Sequence, residues 1–456
     1  MNLKNCKTLL RYFGIFSACI ASYLILLVVT NLIPTSWIYE NLQKSSETLI
    51  TENEKQYIHL PYKDEMLFYY SDALILNLIT SVDSSHPFES ALLSRKSYVP
   101  EYNQIQNTTI NVSIPADSQY LEPDQNCLIR EFYGMTHGDV LTTSWEYNRY
   151  WHGHQVLLRP LLLLFDLEGI RILFFVCMLL LLLLFFFFTT KKLGVLTAIA
   201  FTIGFLSASV LTLTRSLNEA LLFLFTLGSM IFLLCRYRKE KNFGPFFFVI
   251  GSIINYFDLL TSPMLGCILL LTLLLVCKLR IDHANWKELL KTFFLYGFLW
   301  VMGYAFTWLV KWILVDVFFD RGLLLQAFEQ IHIRSTDITL SPAKTFERVY
   351  LFLSPNVIYF VATFAVILGV VQWFRNRKKK RNYAELFKLS IPFWISATFP
   401  FLWCLLIRNH AFLHPFFTYR LFSITIVDIL LLILLFTSYD STEEKTKQLP
   451  EKELGS

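Results

Sequence analysis

The sequence predicts an all-α polytopic membrane protein, with about ten transmembrane helices and a large external segment containing interfacial helices. Composition is the first ground: 55% of the residues are hydrophobic and 16% charged, with a mean hydropathy of +0.48, a balance that places the core in lipid rather than water. Run length is the second, because apolar stretches recur at about 17–25 residues, the length that crosses a bilayer as a helix. These runs are continuous rather than alternating, so their backbone amides are satisfied within helices and not between the strands of a closed barrel. Charge is the third: the net +5 is gathered into short clusters between alternate runs. Such clusters orient a chain in a membrane, and no nucleic-acid partner is expected.

The elements follow in order. Residues 1–33 read as an N-terminal signal anchor, in which Lys4, Lys7 and Arg11 precede an apolar run, and Pro34 to Trp37 offers no small-residue cleavage site. Residues 34–169 form the external segment, too long for a simple connector. Within it, Glu65 to Ser81 and Gln155 to Ile172 carry apolar residues at helical spacing; Arg159, Asp166 and Glu168 keep the second at the interface, with Pro160 in its first turn. A transmembrane bundle fills 170–440, with spans near 170–190, 193–213, 219–235, 244–260, 263–279, 292–314, 356–374, 386–407 and 420–438. The turns expected inside carry Lys191 and Lys192; Arg236, Arg238, Lys239 and Lys241; Lys278 and Arg280; and the cluster from Arg375 to Arg381. That pattern puts both termini in the cytoplasm, with a bacterial plasma membrane the expected location. External loops are expected at 316–355 and 408–419, and a charged cytoplasmic tail at 441–456. Most cysteines lie in the apolar runs, so neither a disulfide nor a cysteine metal site is expected.

Four strings on the external side carry candidate chemistry. In Tyr69 to Asn77, preceded by Asp64 and Glu65, Asp72 stands among aromatics on an expected helix, as a general base or as a helix cap. Trp145 to His154, followed by Arg159, offers Glu146, Tyr150, His152 and His154 among aromatic rings; rings stack on sugars and arginine holds phosphate, while an aromatic belt at the headgroup level uses the same residues. If helical, Glu146, Tyr150 and His154 share a face, and the two histidines lack a third metal ligand. Asp258, in Asn255 to Pro263, is an acid at membrane depth, either part of a site or a break between two helices. In Arg408 to Arg420, His410 and His414 could share a face, and Arg408 and Arg420 bring two fixed positive charges to an external loop, against the positive-inside tendency, which suits lipid phosphate or headgroup anchoring. No metal and no cofactor is expected.

This layout resembles the C-type superfamily of integral-membrane glycosyltransferases over the whole chain: an inside N-terminus, one span, a long first external segment with acidic residues, then many spans. The resemblance implies transfer of a sugar from a polyprenyl-phosphate donor to an envelope polysaccharide or glycolipid acceptor, with an acid of the first external segment as base. Asp72 matches that role, although it lies further from the first span than the family pattern, which leaves Asp64 and Glu65 as alternatives. The strings YSDALILN, RYWHGHQVLLRPLL, YFDLLTSP and NHAFLHPFFTYR also look like those of a bacterial multispan membrane family without an assigned activity. Two rival readings are a transporter or flippase of a lipid-linked precursor, for which Lys311 or Asp428 would have to sit deep, and a non-catalytic subunit of an envelope-assembly complex.

Overall fold

The computed structural model describes residues 3–55, 57–60, 63–66, 69–98, 125–139, 143–240, 242–327, 341–379 and 381–438. The expected tail at 441–456 lies outside them, as does part of the 316–355 loop. The chain runs through α1 (Leu3–Asn31), α2 (Thr35–Lys55), β1 (Tyr57–Leu60), β2 (Lys63–Met66), α3 (Tyr69–Thr80), α4 (Pro87–Leu92), β3 (Arg95–Tyr98), α5 (Gln125–Thr136), β4 (Thr143–Glu146) and α6 (His154–Leu161). It continues through α7 (Leu167–Leu193), α8 (Val195–Ser207), α9 (Leu217–Arg236), α10 (Gly244–Phe257), α11 (Pro263–Ile281) and α12 (Trp286–Phe319). The last elements are α13 (Pro342–Leu353), α14 (Pro355–Arg375), α15 (Tyr383–Leu406), α16 (Arg408–Leu413), α17 (Pro415–Thr418) and α18 (Phe422–Ser438).

Among the described residues, eight helical stretches are long and apolar enough to cross a membrane: α1, α7, α9, α11, α12, α14, α15 and the stretch Pro415–Ser438. The spans expected at 193–213 and 244–260 are shorter helices, α8 and α10, of 13 and 14 residues. At 1.5 Å per residue each reaches roughly 20 Å, against a hydrocarbon thickness of about 30 Å. Helix α8 stops at Ser207, and the apolar sequence beyond it folds into turns in which Ala208, Val210 and Leu213 are fully buried. Unwound backbone is tolerated there because it is enclosed by protein rather than by lipid.

The external segment departs from its expected form in three places. Glu65 belongs to strand β2, and helix α3 begins only at Tyr69. The helix expected over Gln155 to Ile172 is two helices, because Asp166 caps α7 by accepting the Gly169 amide at 2.9 Å, and Pro160 falls near the end of α6 rather than in its first turn. Two antiparallel ribbons were not foreseen: β1 with β2, pairing Tyr57 with Met66, and β3 with β4, pairing Arg95 with Glu146.

The bundle has two unlike ends. At one, basic side chains hold the last carbonyls of the helices: Arg280 donates to Leu193 O at 2.7 Å, Lys192 to Leu234 O, Lys379 to Ser438 O at 3.1 Å and Arg381 to Thr437 O at 3.0 Å. Cations in these positions satisfy orphan carbonyls and oppose the helix dipole. The other end is covered by the segment before α7. Ser45 accepts the Leu167 amide at 2.9 Å, Asn41 donates to Leu162 O at 2.8 Å, and Ile38, Leu42, Ile75, Leu76, Ile129 and Phe132 are buried together with Leu217 and Leu221 of α9. This joins the cover to the bundle in one hydrophobic cluster.

Helices α10 and α12 cross closely at a pair of glycines. A methyl group on Gly251 would overlap the Trp300 carbonyl oxygen, and one on Gly303 would overlap that of Phe248. Small residues are how membrane helices let their backbones touch. A chain of hydroxyls pins α1 to the same crossing, from Tyr23 Oη to Ser252 Oγ at 3.0 Å and on to Thr307 Oγ1 at 2.7 Å.

Candidate functional site

The first turn of α9, at the covered end, is where buried charge converges. Ser216 caps this helix, and Asp72, from the first turn of α3, accepts the Leu217 amide at 2.9 Å. A carboxylate beside free amides at a helix start is favoured by both hydrogen bonding and the dipole. The other oxygen of Asp72 receives Arg171 at 2.9 Å, and the second arm of Arg171 reaches Glu52 of α2 at 2.8 Å. Glu52 also pairs with Arg215 at 3.0 Å. Asp72, Arg171 and Glu52 are buried, whereas the Arg215 side chain is 40% exposed and so marks the way in. Burial outweighs the arginine beside it and pushes the Asp72 carboxyl up to about 6, into the range of a general base at neutral pH.

Two residues further along α9 a second group begins. Glu219 is buried and faces Arg420 at 3.7 Å. Asn218 donates to Thr261 Oγ1 at 3.2 Å, and Thr261 donates to Asp258 from its hydroxyl at 2.8 Å and its amide at 3.0 Å. Tyr304 of α12 donates to the remaining Asp258 oxygen at 3.0 Å. Leu260, between these partners, has φ +64°, a left-handed conformation that costs a branched residue about 1–2 kcal/mol. Its carbonyl lies 3.0 Å from His410 Nε2. The turn is thereby fixed from α12, from α9 and from α16.

The structure thus brings together Asp72, Asp258, His410 and Arg420 around one helix start, with Glu52, Arg171, Arg215, Glu219 and Tyr304. His414 adjoins His410 with ring centroids 4.8 Å apart, and Arg408 begins the same short helix α16. Asp64 and Glu65 stand in β2 opposite His59 and Ile58, and their side chains lie outside the described residues.

The Trp145 to His154 string does other work. Glu146 is in strand β4 and Tyr150 in a bend, while His154 opens α6, so no helical face joins them. Glu146 is paired with Arg321 at 2.7 Å and 2.9 Å. Tyr150 stacks on Trp308, and Trp151 Nε1 donates to Thr307 O at 2.8 Å. Trp308 and Trp312 both donate to the carbonyl of Arg149, at 2.7 Å and 3.0 Å. His152, with φ +56°, has its Nε2 2.6 Å from Tyr147 O, and burial drives it down to about 3; His154, also buried, is held well below its ordinary value for the same reason. Both are neutral, and the string fastens the cover to α12. Arg159 is likewise occupied: it is buried, donates to Ile79 O at 2.6 Å and to Ile33 O, and ties α3 and the end of α1 to α6.

Sequence reasoning missed Arg171 and Glu52; Arg215 and Glu219, four residues apart, read in the sequence as a surface pair, whereas Glu219 is buried against Arg420 and Arg215 pairs with Glu52. Arg171 carried a usable sign, a lone cation in the first turns of an otherwise apolar span. Glu52 carried none, because its meaning comes only from an arginine 119 positions away.

Away from the acid–arginine layer, a lipid-side groove of about 680 Å³ lies between α14, α15 and α18, lined by apolar residues including Gly369, Trp373, Trp394, Ile429 and Phe436, with the last turn of α18 at its basic end. Among the described residues no group of three or more His, Cys, Asp or Glu is placed to hold a metal ion. No family model, curated protein or solved structure matches the chain.

Proposed function

We propose that the chain is an integral-membrane glycosyltransferase of the C type, moving a sugar from a polyprenyl-phosphate donor to an envelope polysaccharide or glycolipid acceptor at the outer face. The observation that carries this reading is the buried carboxylate of Asp72, raised to about 6, held between Arg171 and the start of α9, with Glu52 joining Arg171 to the 40% exposed Arg215. In the proposed step the acceptor hydroxyl gives its proton to Asp72, its oxygen bonds to the anomeric carbon, and the bond from that carbon to the carrier phosphate breaks. The phosphate leaves with the electron pair, and Arg215 faces its growing charge; fixed cations at such a position stabilise a transition state without reorganisation. Arg159 is committed to two carbonyls, so the phosphate role passes from it to Arg215.

In the membrane this reading has ten passes, with the short helices α8 and α10 enclosed by the longer ones, and the basic end in the cytoplasm of a bacterial cell. The test is sugar addition to a surface polymer in cells carrying Asp72→Ala or Asp258→Ala. Both variants should insert normally and lose product. Normal product from both sinks the proposal.

Transport is the second reading, and one observation favours it: Asp428 is fully buried in the middle of α18. Lys311 does not help, since it donates to Ala91 O and Leu92 O, at 3.1 Å and 2.8 Å, next to the cover.

A further inference from the structure

Asp428 stands in the interior of the bundle, far from both charged ends. It is the fourteenth of the 24 residues in Pro415–Ser438; its Oδ1 accepts from Thr272, the tenth of 19 in α11, at 3.2 Å. Thr272 Oγ1 lies 3.0 Å from Ser396 Oγ, the fourteenth of 24 in α15. All three side chains are fully buried. Three helices therefore bring an acid and two hydroxyls together at one depth.

The other carboxyl oxygen of Asp428 is buried with no hydrogen-bond partner among the described residues. One helical turn along α15, Pro400 has no N–H to give the carbonyl of Ser396, so that carbonyl lacks its helical donor. An ionised carboxylate in this place would need a cation. Helix α18 offers no other ionisable residue; in the turn before it Tyr419 and Arg420 are nine and eight residues from Asp428, and Arg420 faces Glu219 at 3.7 Å; α8, packed against α18 at Gly204 and Val427, offers none. On α11 the nearest are Cys267 and Cys277, five residues from Thr272, then Lys278 and Arg280; on α15 they are Lys388 and Cys404, eight residues from Ser396, then Glu385 and Tyr383; on α14 they are Tyr359 and Arg375, towards its ends. Five residues of helix are roughly 7.5 Å. With one carboxyl and two hydroxyls, the set is short of the oxygens that a bare metal cation requires.

We propose that Asp428, Thr272 and Ser396 form a proton-binding site at mid-depth in the bundle, with the Asp428 carboxyl holding the proton at neutral pH. Thr272 donates to one oxygen, and the proton sits on the other, which is buried and accepts no hydrogen bond among the described residues. The site gives α11, α15 and α18 a group that can gain or lose charge inside the membrane, independently of the acid–arginine layer at the covered end.

The test is infrared difference spectroscopy of the full chain in lipid nanodiscs, comparing wild type with Asp428→Asn at neutral pH, with and without sodium chloride. The expected result is a protonated-carboxyl carbonyl band in wild type that the variant lacks and that sodium leaves unchanged. Identical spectra overturn the proposal, because the acid is then ionised; loss of the band on adding sodium overturns it in favour of an alkali-cation site. Thr272→Val should keep the band and move it to higher frequency, as a lost donor requires. If Asp428→Asn fails to fold, this shift decides, and its absence overturns the proposal.

Discussion

The α10–α12 crossing should tolerate no added methyl group. In Gly251→Ala the new carbon would overlap the Trp300 carbonyl oxygen and lie 2.9 Å from its carbon, and Gly303→Ala would do the same to Phe248. Contact between such atoms needs about 3.5–4.0 Å, so the helices must part by roughly 1 Å. Overpacking of that kind costs about 1–3 kcal/mol. Tyr304 follows Gly303 directly, so parting the helices also stretches its 3.0 Å bond to Asp258, and a hydrogen bond to a charged group contributes about 1.5–3 kcal/mol. Each substitution should therefore destabilise by about 2–6 kcal/mol, and the pair by less than the sum, because both relieve the same crossing. Gly228→Ala is the control: nothing lies within 4 Å of its added carbon, and alanine should gain up to about 1 kcal/mol of helix propensity. The assay is unfolding of the purified protein by titrating a denaturing detergent into a mild one, followed by tryptophan fluorescence. If Gly251→Ala and Gly303→Ala unfold as late as Gly228→Ala, the backbones do not touch and the reasoning fails.

Three further outcomes follow from the covered end. Transferase activity should rise with pH to a plateau above about 6, because Asp72 must be ionised to accept a proton; a rate independent of pH between about 5 and 7 would remove it from that role. The same shift has the opposite sense for stability: the folded state keeps a proton that the unfolded state releases above 3.8, so this contribution is present below 3.8 and lost as pH rises through about 6. Arg159→Met should cost about 1–3 kcal/mol for each carbonyl it abandons, Ile79 and Ile33, measured by the same detergent titration; unchanged stability would mean that the arginine was free for substrate. Arg171→Met should cost about 3–5 kcal/mol by leaving the buried Asp72 without a cation and Glu52 with Arg215 alone, whereas Glu52→Met, Asp72→Leu and Arg171→Met together should cost only about 1–3 kcal/mol, that of a Leu217 amide without its acceptor, and have no activity. A triple variant as unstable as the single one would contradict the pairing.

The bundle was legible because lipid imposes one rule on every residue of a span: α7 or α14 can be read from run length alone. That rule fails for α8 and α10, since hydropathy records only that Ala208, Val210 and Leu213 avoid water and cannot say whether lipid or protein surrounds them. The cover was harder, because its ribbons are four residues to a strand and its aromatics satisfy a belt, a sugar site or a packing seam equally well. Asp72 and Asp258 could be singled out, each being an acid in an apolar local string. Their partners could not, since Arg171 and Tyr304 gain their meaning through contacts 99 and 46 positions away.

Those distant contacts bear on why the charges are kept. A buried arginine–carboxylate set is weak support for a fold, as apolar residues of similar volume usually stabilise as much or more. Here Glu52, Asp72, Arg171, Glu219, Asp258 and Arg420 are all buried at one end, whereas at mid-depth the acid Asp428 is buried with the hydroxyls of Thr272 and Ser396. Leu260, Ser209 and His152 adopt left-handed backbone conformations at this end, each a further cost, as does His283 at the basic end. Six buried charges in one layer, with the 40% exposed Arg215 beside Glu52 at its edge, are a cost that the proposed charged chemistry would account for.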